Sequence, residues 1–468
     1  MKLTIIHPCI GRKPGADYIR SWQMEPLPAA YLAALAAPYA EIAFHDDRME
    51  TIPYERETDL VAISVETYTA KRAYQIASEY RRRGVPVVMG GFHATLVPEE
   101  VSEYAEAVVV GEGEQLFPKL LEDFRAGRMQ RMYRNAGRSE IGSVKPDRSI
   151  FLGKRYLKIG LVEAARGCHF KCDFCAITAY FNATQSRRPI ENVIEEIRAI
   201  KDTRKLFFFV DDNIVSHPKW AKEFYRALIP LKIRWVSQAT LTLVQDEELM
   251  DLMRRSGCQG VLIGFESLNP DNLKSMNKKF NDVKGGFPSV IAKLNRYGLR
   301  LYATFIFGYD GDTPECFEET VEFCKRENIF MVAFNHITPF PGTQLYKRLE
   351  AQGRLLYDKW WLDDRYQYGQ IPFKTSLPPE FIQQKCVEAR KRFYGLGSII
   401  KRLRNRANTG SFFMLRSYFF INFLLGKEAT QRENYPLGDT SYRGGILKID
   451  EASLRRAGVT PELLEAAP

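Results

Sequence analysis

The chain has 468 residues, 45% of them hydrophobic and 26% charged, with a net charge of +10. That balance suits two or three folded domains and excludes a disordered chain. No run reaches the roughly 18 apolar residues of a membrane span, no secretory leader opens the chain, and no basic stretch carries the pattern of a nucleic-acid module. A cytoplasmic protein without a nucleic-acid partner is expected. The first 135 residues alternate short apolar runs, LTIIHP (3–8), EIAFHDD (41–47), LVAISVET (60–67), PVVMGG (86–91) and AVVVGEGE (107–114), with helical patterns such as KRAYQIASEYRRRG. Near-continuous apolar strands alternating with helices predict a doubly wound parallel sheet, here five-stranded and flavodoxin-like.

In such sheets ligands sit beyond the carboxyl ends of the strands. Small and polar residues gather there: Thr67 and Tyr68 after the third strand, Gly90, Gly91 and His93 after the fourth, and Gly111, Glu112 and Glu114 after the fifth. They mark either tight turns or a binding edge. No G-x-G-x-x-G opens the first helix and no Walker lysine follows, which weighs against a nucleotide. Residues 136–156 lose periodicity and predict a linker. From 157 to 345, six more strands (LKIGLVEAARG, KLFFFVDDN, IRWVSQAT, QGVLIGFES, LRLYATFIFGYD and FMVAFNHITPF) alternate with helices and predict a partial (β/α)6 barrel. Barrels of this kind carry their sites at the carboxyl ends of strands, where Asp211, Asp212, Asn213, Ser237, Gln238, Glu266 and Ser267 fall.

Residues 346–468 read as mainly helical, a candidate lid over the substrate. Trp360 and Trp361 are either packing residues or a stacking platform. The stretch KRLRNRANTGSFFMLRSYFFINFLLGK (401–427) joins a basic run to an apolar helix. It is either a lid packed on the barrel or a peripheral contact in a membrane interface. The last ~40 residues read as loop and tail.

Within ARGCHFKCDFCAI (165–177), three of the eight cysteines, Cys168, Cys172 and Cys175, lie within eight positions. A zinc site would supply a second pair of ligands, and none follows. A C-x-x-C redox pair would leave Cys168 over. Three thiolates on a four-iron, four-sulfur cluster use all three and leave one iron open. The remaining cysteines, Cys9, Cys258, Cys316, Cys324 and Cys386, read as packing residues.

CHFKCDFC in a loop after the first strand of a partial barrel resembles the radical S-adenosylmethionine (SAM) signature, with Phe174 as the aromatic before the last cysteine. The stretches RGCHFKCDFCAITAYF, FFFVDDN and GFESLNP, with GGFHAT and GEGE upstream, resemble the branch that carries a cobalamin-binding domain in front. The resemblance covers about residues 1–345. It implies a cluster on Cys168, Cys172 and Cys175, SAM against Phe174, Asp211, Asp212, Ser237, Gln238 and Glu266, and cobalamin over Thr67, Tyr68, Gly90, Gly91, His93, Gly111, Glu112 and Glu114.

One departure from corrinoid carriers is that HDDRMET, after the second strand, lacks the Asp-x-His-x-x-Gly histidine, so cobalt is expected to be bound without one from that loop. The resemblance further implies an electron donor such as flavodoxin or ferredoxin, and reductive cleavage of SAM to a 5′-deoxyadenosyl radical. The chemistry would be C-methylation of a small-molecule or lipid-like substrate. Radical cyclisation or rearrangement of a tetrapyrrole-like or natural-product substrate is the alternative, and a non-enzymatic corrinoid or iron–sulfur carrier a distant one. Methylthiolation would need a second three-cysteine cluster upstream, where only Cys9 stands.

Overall fold

The computed structural model describes residues 1–13, 15, 18, 23–135, 137–428 and 433–459. Two six-stranded parallel sheets organise them. The first holds β1 (Lys2–His7), β2 (Glu41–Asp46), β3 (Leu60–Ser64), β4 (Val87–Gly90), β5 (Ala107–Val110) and β6 (Met132–Arg134), in the order β2-β1-β3-β4-β5-β6. Leu60 and Ala62 face the helices Leu27–Ala36 and Gly113–Arg125, while Val61 and Ile63 face the helix Ala70–Arg82. Burial on both faces explains why these strands are apolar throughout. The expected flavodoxin-like order holds for five strands. The sixth, β6, escaped the sequence because MYR has no apolar run; it earns its place by pairing with β5 and burying Tyr133.

The second sheet holds β7 (Ile159–Val162), β8 (Leu206–Phe209), β9 (Trp235–Ala239), β10 (Cys258–Glu266), β11 (Arg300–Phe307) and β12 (Met331–His336), ordered β12-β11-β10-β9-β8-β7. The first and last strands do not pair, so the barrel is partial, as expected. Along β11, Leu301, Ala303, Phe305 and Phe307 pack outward under the helices, and Tyr302, Thr304 and Ile306 face the lumen. The free edge at β12 is covered by the helix Pro379–Phe393 and by Tyr394, whose hydroxyl donates to Val332 O at 2.8 Å and accepts from Val332 N at 3.1 Å. Such cover removes a template for strand addition.

Two stretches differ from the sequence reading. The connection after residue 136 is pinned to both sheets' domains: Arg148 donates to Glu25 at 3.1 Å and to Glu196 at 2.8 Å. The end of the chain is no loose tail. Gly438 and Asp439 pair with Gly11 and Arg12, Leu447 N donates to Ser78 Oγ, and Leu454, Ala457 and Val459 complete the core under the helix Leu27–Ala36. Trp360 and Trp361, 0% and 2% exposed, fill the opposite face of the first sheet and offer no stacking platform. Truncating either to Ala costs about 3–5 kcal/mol. Residues 401–427 form the helix Phe412–Glu428 and the turns before it, standing against the barrel's lower lumen.

Candidate active site between the two sheets

The carboxyl edge of the first sheet faces the mouth of the barrel, and the cysteine loop lies at that junction. Its backbone is fixed from three sides. Asp173 accepts from Tyr309 Oη at 2.9 Å and from Arg348 at 2.7 Å, Asn277 donates to Lys171 O at 2.7 Å, and Phe170 stacks on Phe280. Burial pushes all three thiols up, Cys172 to about 12; Cys175 further raises Cys168, and Cys175 and Cys168 further raise Cys172. Side chains so placed favour neutral thiols in the bare protein; a bound cationic cluster would supply the charge that makes them thiolates. Among the described residues, no three of His, Cys, Asp and Glu converge where a single metal ion would fit. Asn213 Nδ2 lies 3.8 Å from Cys168 Sγ.

One residue here had no signal in the sequence. Lys278 is buried, ion-paired with Glu266, and 6.0 Å from the Phe174 ring centroid. Burial opposes its charge most, but Glu266, Cys172 and Cys175 together hold the ammonium above its usual value; the same ammonium pulls Cys172 and Cys175 down. Glu266 ends β10 in the left-handed region, φ 65°, beyond a bulge. A Cβ on Gly264 would lie 2.0 Å from Glu266 Oε1 and 2.6 Å from Lys278 Nζ, so glycine is the residue that leaves room for the pair. Finding Lys278 from sequence would have required knowing that NKKF folds back onto strand four of the barrel.

The expected SAM contacts divide. Asp211 is fully buried, its Oδ1 accepts from Ala164 N at 2.8 Å, and burial pushes it well above the carboxylate range. It straps the cysteine loop to β8 and is turned away from the cavity. Asp212 accepts from Gly167 N at 2.7 Å, is pushed up by burial to about 6, and lines the upper cavity. Ser237 spends its proton on Phe209 O at 2.8 Å, though it also lines the lumen. Gln238 and Phe174 are partly buried at the barrel mouth.

Between the sheets lies an upper cavity of 780 Å³, bounded by Gly90, Gly91, Gly111, Glu112 and Glu114 on one side and Leu161, Val210 and Asp212 on the other. Gly111 has φ 97° and nothing within 4 Å of where its Cβ would stand, so backbone there is open to a large ligand. Three expected contacts of this edge are corrected. The His93 ring is fully buried between Thr67 Oγ1 (3.3 Å) and Glu100 Oε1 (3.1 Å), with Trp361 against it. Although burial opposes its charge, bonds from His93, Trp361 and Tyr74 hold Glu100 down to about 2. Thr67 and Tyr68 turn the same way, Tyr68 packing on Phe340, Trp360 and Tyr368. Glu66 and Thr69, one position either side of that pair, line the cavity instead.

The carboxylates of Glu112 and Glu114 are engaged across the domains. Arg138 reaches Glu112 at 2.9 Å, and Arg166 reaches Glu112 at 3.2 Å and Glu114 at 2.8 Å. His7, at the end of β1, lines the cavity as a neutral imidazole, held near 4 by burial and by Arg48. A lower cavity of 530 Å³ fills the barrel lumen, walled by Ile159, Leu206, Val236, Leu262 and Val332, and bounded by the helix Phe412–Glu428. Met24 and Phe208 line both cavities, so the two adjoin.

Comparison with known proteins bears on what fills these spaces. The profile of the Radical SAM superfamily matches residues 162–324, and that of the B12 binding domain residues 23–121. Bacteriochlorophyllide d C-12(1)-methyltransferase of Chlorobaculum tepidum is 32% identical over 413 residues, spanning 86% of this chain and 88% of that protein. Bacteriochlorophyllide d C-8(2)-methyltransferase of the same organism is 29% identical, over 79% of this chain and 86% of that one. The radical SAM methyltransferase TsrM of Kitasatospora setae, solved with cobalamin and a [4Fe-4S] cluster, shares the fold: TM-score 0.65 at 15% identity, over 92% of this chain and 99% of that one.

Proposed function

This chain belongs to the cobalamin-dependent radical SAM enzymes, whose cofactors are a [4Fe-4S] cluster, SAM and cobalamin, and we propose that it methylates a carbon atom of a tetrapyrrole-like substrate held in the barrel lumen. The observation that carries the reading is the adjoining pair of cavities. A large polar-edged space beside the cysteine loop opens onto an apolar one through Met24 and Phe208. The chlorin-methylating relatives, alike over most of their length, support the substrate class.

When bound, these cofactors supply one-electron cleavage of a sulfonium and a transferable methyl group. The chain's own residues would do the placing. Cys168, Cys172 and Cys175 hold the cluster. Lys278, fixed by Glu266, offers an ammonium beside it for a carboxylate, and Asp212 an acceptor at the upper cavity. Gly90, Gly91 and Gly111 would present backbone to cobalamin, and the apolar lumen would exclude water from the reacting carbon. The one-electron donor is an acidic flavodoxin or ferredoxin, for which the net charge of +10 is complementary.

The test is an anaerobic assay of reconstituted enzyme with SAM, a strong reductant, cobalamin and a bacteriochlorophyllide. The expected products are S-adenosylhomocysteine, formed only with cobalamin, and a chlorin one methyl group heavier. 5′-Deoxyadenosine with no S-adenosylhomocysteine would overturn methyl transfer in favour of cyclisation or rearrangement.

The chain also docks, in this reading, on an anionic lipid surface through the helices Leu396–Arg402 and Phe412–Glu428. No described helix is long and apolar enough to cross a membrane. Leu396, Ile400, Phe412, Phe420 and Phe423 are exposed, four of them by more than 60%, and residues 396–427 hold six basic and no acidic side chains. Apolar projections ringed by cations suit an interfacial contact. Flotation with phosphatidylglycerol vesicles but not with phosphatidylcholine ones is expected, and F412S/F420S/F423S should abolish it. Equal recovery with both vesicle types would rule the contact out.

A further inference from the structure

We infer that the substrate carries a carboxylate and that Arg300 takes it at the closed end of the barrel lumen. The inference rests on the lumen being the substrate's place, and it adds a group that the substrate must bear. Arg300 opens β11 and shares the inward register of Tyr302 and Thr304. It lines the lower cavity at 6% exposure.

Its surroundings do not balance its charge. Nε donates to Gln259 O at 3.2 Å, Nη2 meets Met414 Sδ, and the guanidinium lies 4.7 Å from the Phe330 ring centroid. Among the described residues no carboxylate pairs with it, and the one anionic influence on it is Cys258, a thiol that burial keeps neutral. Burial lowers the guanidinium to about 9, still charged at neutral pH.

Other buried arginines of the same chain are treated differently. Arg72 is held bidentately by Asp47, at 2.8 and 2.9 Å. Arg188 donates to Glu196 at 2.6 Å. Arg402, fully buried, spreads its donors over the carbonyls of Ile329, Phe330 and Phe393 and over Asn422 Oδ1. Within the lumen, Glu433 is already engaged by Arg390 at 2.5 Å.

A desolvated, uncompensated guanidinium costs stability. It is also a preorganised planar fork for a carboxylate, and a charge-assisted pair there is strong because the site is dry. The remaining wall is aliphatic and aromatic, suited to the flat apolar body that bears the group. Together they fit an amphiphile with its acid at one end, pointing down the barrel while the reacting carbon lies toward the upper cavity.

The experiment measures binding of pheophorbide a, with one free propionate, and of its methyl ester to the cofactor-loaded enzyme by fluorescence titration. The acid is expected to bind wild type about tenfold more tightly than the ester, the size of one charge-assisted bond. R300Q should erase that preference and R300K keep part of it. R300Q without ligand should melt at or above the wild-type temperature, since a charge without a counterion has been removed. Equal binding of acid and ester by wild type, an undiminished preference in R300Q, or binding of neither probe would each overturn the inference. Cobalamin-dependent S-adenosylhomocysteine in the earlier assay would then leave methylation standing, and its absence would remove the reading beneath.

Discussion

The two sides of the junction between the sheets recognise ligands by different means. On the barrel side the chemistry is in side chains: three thiols, a buried Lys278–Glu266 pair, and Asp212 raised to about 6. On the first-sheet side the ionisable groups are largely consumed by the protein itself, with Glu112 and Glu114 tied to arginines and His93 tied to Glu100. What that wall offers is shape, namely glycine backbone, a neutral His7 and open space. Binding by side chains leaves a dense motif in the sequence; binding by backbone leaves only a few glycines at strand ends.

The contrast can be broken most severely at the thiols. C172A should lose bound iron and all product, while cobalamin still binds with wild-type affinity. Iron content and corrin absorbance measured on one sample check both halves, and loss of cobalamin in parallel would show that the walls are not independent. Next comes the ion pair. Removing one partner of a buried pair costs about 3–5 kcal/mol, so K278M and E266Q should each lower the thermal midpoint sharply. The double replacement K278M/E266L should recover part of it.

The first-sheet wall is tested by G111A. A non-glycine residue at φ 97° costs roughly 1–2 kcal/mol, and its Cβ would enter the ligand's space. Cobalamin affinity should fall about tenfold or more, the ~1.4 kcal/mol step, with iron unchanged. G84A is the control: φ 77°, no neighbour within 4 Å, and away from the cavity. It should cost similar stability and leave cobalamin binding alone.

The mildest test compares the sheets' stability with pH. Glu106, 1% exposed beneath the first sheet, is pushed up by burial to about 7. Because the native state keeps this proton longer than the unfolded chain, stability falls as pH rises from about 4.5 to 7 and is level above. The span is roughly 3 kcal/mol at most. E106Q should flatten that slope in urea titrations, and a slope unchanged in E106Q would assign it elsewhere.

How much of this was legible follows the same division. The six barrel strands and the thiol loop were readable because apolar runs and cysteine spacing are local. In the strand-three loop ETYT, Glu66 and Thr69 line the cavity while Thr67 and Tyr68 turn away, and which of them faces it is decided by the packing of Trp360 and Phe340, nearly 300 residues away. Lys278 and Arg300 carried no signal, since a lysine after a short helix and an arginine at a strand's start are ordinary until their surroundings are known. His93 looked like a ligand and is a strut, because Glu100 lies two turns along the chain from it.

The strap formed by residues 435–459 has a consequence for synthesis. The first sheet is made early, but Trp360 and Leu437 close one of its faces and Leu454, Ala457 and Val459 the other. While the chain emerges from a ribosome, that sheet stands with both faces incompletely covered until after the whole barrel has been made. The sheet made before the barrel is therefore finished after it, and its ligand edge matures only once the barrel that it faces already exists.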